Sequence, residues 1–151
     1  WGDATGTTHS TYLADYTPAE DIVGMNIDPA AVAELDVFDV DDEYNSKLPT
    51  YSDFVELLAN TTQEWTTQDG VEGCLFTSKV TGNKLFFPAA GYREGDEVKN
   101  AQILGDYWTG SIYTTNTDYG YSLSFTGSDV KTGFAKRSMS LSIRPVKKSN
   151  R

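Results

Sequence analysis

A chain of 151 residues fits one domain of ordinary size, and 38% apolar with 13% aromatic residues is enough to build a core, which excludes a disordered chain. No run of about 18 apolar residues occurs, so no helical membrane span is expected. The net charge of −10 argues against a phosphate backbone as partner and favours solubility outside the cell.

Residues 1–27 carry no clear period, and the opening Trp1-Gly2-Asp3 reads as an internal strand, as expected of a processed or trimmed chain. "DPAAVAEL" (28–35) is a short helix signal, with Asp28 as N-cap and Pro29 in the first turn. The clearest helix signal is "TYSDFVELLAN" (50–60). There Thr50 can cap, Asp53 suits the first turn, Tyr51, Phe54, Val55 and Leu58 share one face, and Asn60 can end it.

After residue 63 the period changes to two. "EWTT", the turn "QDG" and "VEGCLFTSKV" read as a hairpin, "TGN" turns into the strand "KLFFP", and "GYREGDE" reads as a loop. "YWTGSIY", "YGYSLSFTG" and "MSLSIRPV" read as three further strands. Cys74, the one cysteine, lies among strand formers and is expected to be a small buried hydrophobe; a lone cysteine excludes an internal disulfide. The fold class is therefore α+β: two short helices, then a mostly antiparallel sheet with long polar loops.

In that order and spacing, "LPTYSDFVELL", "EWTTQDGVEG", "GNKLFFPAAGYR", "GDYWTGS" and "SLSIRPV" resemble the Fibrobacter succinogenes major paralogous domain family of secreted and surface proteins in Bacteroidetes. The resemblance covers 47–147 as a family core, with 1–46 as a divergent N-terminal part of the same domain (1–151). It implies a C-type-lectin-like fold and a piece of a longer secreted or cell-surface protein, with lipid anchoring through a preceding segment among the options. Departures are "DEYNSKLPT" where the family has a Trp-Gly-Gly turn, and "SMSLSIRPV" where it has Gly-Phe before its terminal motif.

Catalytic signatures are missing: the single histidine, His9, lies in the polar "TTHST", and no nucleophile elbow, zinc helix or phosphate loop occurs. Formylglycine-generating enzymes share the broad fold but need two cysteines, so the expectation is a non-enzyme without a cofactor. Asp36, Asp39, Asp41 and Asp42 crowd one stretch as a weak calcium candidate, without EF-hand spacing; a solvated acidic face is the default.

Tyrosines carry the functional expectation. In "GDYWTGSIY" successive side chains alternate faces, so with Trp108 in the core, as the resemblance implies, Tyr107 is expected to point outward. Tyr107, Tyr113, Tyr119 and Tyr121 lie within fifteen residues, Tyr113 and Tyr119 flank "TTNTD", and by resemblance Lys136 and Arg137 stand beside them. Together they would form the recognition face of a ligand-binding module for a protein or glycan. Arg93 and Arg144 read as scaffold. Alternatives are a retroelement-diversified variable receptor of a bacterium or phage, and a structural domain of a fimbria-like assembly.

Overall fold

The computed structural model describes residues 46–116 and 118–147. The helix signal at 28–35, the acidic cluster at Asp36, Asp39, Asp41 and Asp42, and His9 all lie outside these residues. The described part holds one helix and several small antiparallel sheets, an α+β or mostly-β arrangement. Its elements run β1 (Ser46–Lys47), α1 (Tyr51–Asn60), β2 (Thr61–Gln68), β3 (Val71–Ser78), β4 (Lys84–Pro88), β5 (Tyr92–Glu94), β6 (Glu97–Lys99), β7 (Gly105–Ile112), β8 (Tyr119–Phe125), β9 (Val130–Lys136) and β10 (Val146–Lys147).

Helix α1 forms because both of its ends are satisfied by side chains. Thr50 Oγ1 accepts from the Asp53 amide at 3.1 Å, and the Asp53 carboxylate accepts from the Thr50 amide at 2.8 Å, a reciprocal capping box. No glycine ends the helix. Instead its last carbonyls, Glu56, Leu57, Leu58 and Ala59, accept from Asn60, Thr61, Gln63 and Lys79 side chains in turn. The chain therefore passes directly into β2. Phe54 is buried while Val55 stands 43% exposed, so the core stripe runs through Phe54, Leu57 and Leu58 rather than through Val55 as expected.

Strands β2 and β3 pair in register around Asp69–Gly70, both at positive φ (50° and 80°). That conformation matches the right-handed twist of the strands, which is why an Asp-Gly pair fits here. β4 adds to β3, giving the order β2-β3-β4. A second sheet has the order β7-β8-β9. "GYREGDE" is not a loop but the small hairpin β5–β6, and Gly95 supplies its positive φ of 60°. β9 had no counterpart in the sequence reading, because "VKTGFAK" carries two lysines and a glycine at the sheet edge, where charge is tolerated. "MSLSIRPV" is not one strand. Ser140 bridges Arg93 and Ser142 bridges Tyr107, and only Val146–Lys147 pairs as β10. The connections between consecutive elements from α1 to β9 are short, six residues or fewer, rather than long.

The main core lies between the two larger sheets and α1: Phe54, Cys74, Phe76, Phe87, Ala89, Tyr107, Leu123 and Phe125 are all buried. Rings of Phe76, Phe87, Tyr107 and Phe125 meet at centroid distances of 4.8–6.3 Å. Gly105 is required by this packing, since a Cβ there would overlap the Phe125 ring. A smaller cluster of Trp108, Ala135 and Leu141 fills the other face of β7. Among the described residues no helix is long and apolar enough to cross a membrane. Thr50→Ala is expected to cost about 1 kcal/mol of stability in urea denaturation without changing the slope, through loss of the N-cap.

Candidate functional site

All eight residues of β7 are buried. One edge pairs with β8 and the other with the 140–142 segment, where the Trp108 amide donates to the Ser142 carbonyl and the Ser142 amide to the Asp106 carbonyl, both at 3.0 Å. Both faces are covered as well, so strand parity separates Tyr107 from Trp108 without exposing either. Trp108 is buried, in line with the expectation for it. Tyr107 is 4% exposed, which overturns its expected outward position. Its ring lies against Phe87 and Phe125, and its hydroxyl donates to the Pro88 carbonyl at 2.8 Å. Burial pushes the phenol up to about 12, with Arg144 drawing it partway back.

A β-bulge shapes the far end of β7. Trp108 pairs with Ser122 and Ile112 with Gly120, so Thr109–Ser111 stand where β8 supplies Tyr121 alone. The buried Thr109 hydroxyl donates to the Tyr121 carbonyl at 2.8 Å, replacing the ladder bond that the bulge removes. The Gly110 amide donates to the Pro49 carbonyl at 2.8 Å, and Ser111 Oγ accepts from the Tyr51 amide at 3.0 Å. Ser111 thus satisfies the first amide of α1, one of the four that a helix cannot satisfy internally. The bulge and the helix start are tied together, and Tyr51 is held over Tyr121 with ring centroids 4.4 Å apart.

Around that point five rings form a continuous cluster. Tyr113 stacks on Phe134 at 4.5 Å and meets Tyr121 at 5.2 Å and Tyr119 at 6.4 Å; Tyr119 meets Phe134 at 5.6 Å. The four tyrosines are half-buried and Phe134 is 54% exposed, so the cluster reaches the surface. Cross-strand register explains the grouping: Tyr119 opposes Lys136 and Tyr121 opposes Phe134, and directly opposed residues share a face. Tyr113, Tyr119, Tyr121 and Lys136 therefore come together as expected of them. Arg137 does not join them. One residue beyond Lys136 it turns to the opposite face and is 3% exposed, its amide donating to the Asp118 carbonyl at 2.9 Å. Tyr51 and Phe134 join the cluster without a local signal in the sequence: only the bulge brings the helix start to this sheet, and the lysines of β9 mask its strand pattern.

Elsewhere, Arg144 donates to the Phe86 carbonyl at 3.2 Å and lies over the Phe87 ring, a scaffold position. Cys74 is buried, and burial pushes its thiol up to about 11, which suits a packing residue rather than a nucleophile. Among the described residues no group of three or more His, Cys, Asp or Glu is placed to hold a metal ion. No family model, curated protein or solved structure matches the chain.

Asp106 is the unusual acid. It is 8% exposed and its Oδ1 has no hydrogen-bond partner. Burial pushes its carboxyl up to about 6, and the Ser122 hydroxyl and Tyr107 amide offset only part of that. Between pH 4 and 6 the folded state keeps a proton that the unfolded chain has released, so stability falls as pH rises and then levels off. Asp106→Asn is expected to remove this fall, gaining about 1–2 kcal/mol over wild type at pH 8 but not at pH 4, in urea denaturation at both values. Tyr107→Phe is expected to lose about 1 kcal/mol, because the Pro88 carbonyl is left without its donor, and to leave any surface binding unchanged.

Proposed function

We propose that this domain is a non-catalytic, extracellular ligand-binding module on a C-type-lectin-like scaffold, recognising its ligand through Tyr113, Tyr119, Tyr121, Phe134 and Lys136, with Tyr51 as support. The observation that carries this reading is the contiguous five-ring cluster with Phe134 more than half exposed. Aromatic rings that could have been turned inward are instead gathered at one surface end of the β7-β8-β9 sheet. Tyrosine suits such a surface because it offers a large, rigid contact area with a polar tip. The same end is rimmed by exposed Thr114, Thr115 and Asn116. Sequence resemblance to the Fibrobacter succinogenes major paralogous domain family supports the scaffold and the extracellular setting.

The test is a glycan and protein array probed with wild type and with Tyr119→Ala/Phe134→Ala. Both side chains sit at the surface end of the sheet, so the variant is expected to keep its far-UV spectrum and a cooperative transition. A loss of affinity of about tenfold or more is expected, in keeping with the worth of stacking on an exposed ring. Unchanged affinity in the folded variant removes the site.

A further inference from the structure

We propose that this ring cluster takes a sugar ring bearing a single acidic group, with the sugar lying against Phe134 and the acid against Lys136; the inference rests on the binding-module reading above. The rings lean on one another at 4.4–6.4 Å, so no slot is left between them for an inserted side chain or a caged ammonium group. The rings meet mostly edge to face, so a ligand rests against an outward ring such as Phe134 rather than between two of them. A sugar ring has the matching chemistry: an apolar C–H face to lay on the aromatic carbons and a hydroxyl rim for groups such as the exposed Thr114 and Asn116.

Lys136 supplies the charge preference. It is exposed and stands directly opposite Tyr119 on the face of the ring cluster, where paired Cβ atoms lie about 5 Å apart. Lys99 and Lys131 pair with Glu94 and Asp129, but no described carboxylate pairs with Lys136. Asp118, next to Tyr119 in the chain, is exposed in the turn before β8. Among the described residues, Lys136 is thus the charge that the strand register sets beside the ring cluster, in a chain that is acidic as a whole. Eleven of the 22 acidic residues lie in 1–45, which hold no Lys or Arg, whereas 46–151 hold the other 11 against all 12 basic residues. A single acid group meets one lysine, while a polyanion would also meet the repulsion of the whole chain.

The experiment is calorimetry of the full chain with matched pairs: sialyllactose and lactose, a glucuronate-capped xylo-oligosaccharide and xylotetraose, digalacturonate and galactobiose. The acidic member of a singly charged pair, sialyllactose or the glucuronate-capped oligosaccharide, is expected to bind about three- to fivefold more tightly than its neutral counterpart, the range for one exposed ion pair. Digalacturonate is expected to bind no more tightly than these. Lys136→Gln should abolish that difference while keeping the neutral affinity, Phe134→Ala should abolish both, and 0.5 M NaCl should weaken only the acidic ligand. Equal binding of the paired sugars, or no effect of Lys136→Gln, overturns the acidic preference and leaves a binding module. Binding of none of these sugars, together with capture of a protein that Phe134→Ala abolishes, overturns the saccharide assignment alone. Array ligands whose binding neither substitution changes would overturn both readings.

Discussion

Strand β7 is buried along both faces and engaged along both edges, and the described elements beside it are arranged by that constraint. A strand in that position must carry side chains acceptable to two interiors. The Tyr107-Trp108 pair satisfies this by sending one ring into the Phe87–Phe125 core and the other to Ala135 and Leu141. The polar members of β7 are tolerated because most are bonded: the Tyr107 hydroxyl to Pro88, the Thr109 hydroxyl to Tyr121, and Ser111 to the helix start. Asp106 is bonded at one oxygen only, and its burial makes it hold its proton more tightly.

The bulge at Thr109–Ser111 links this buried strand to the surface. It lets β7 shift register against β8, and its freed polar groups hold Pro49 and the first amide of α1. The helix start is thereby fixed over Tyr121. Beyond that contact Tyr113, Tyr119 and Phe134 extend to solvent as one patch with Lys136 beside them. A buried strand, a side-chain-capped helix and a bulge thus hold an aromatic surface whose rings support each other.

How much of this was legible in the sequence depended on the range of the interaction. The helix from Tyr51 to Asn60 and its capping box were readable because the interactions that define them span a few residues. So were the Asp69–Gly70 hairpin and the strand following "TGN", since turn chemistry is local. The β5–β6 hairpin was read as loop because its strands are three residues each, and β9 was passed over because its charges mask an edge strand. The local density of tyrosines points to Tyr113, Tyr119 and Tyr121, and the family resemblance to Lys136; the structure brings these four side by side.

What the sequence alone determined was periodicity: which neighbours alternate, where turns fall, and that Tyr107 and Trp108 must part company. It did not determine what covers each side of a strand. Burial of Tyr107 and of Arg137, and the arrival of Tyr51 and Phe134 at the surface cluster, came from contacts between segments far apart in the chain. Alternation fixes only the relative direction of two side chains, whereas exposure depends on whether another layer of the molecule lies above each one.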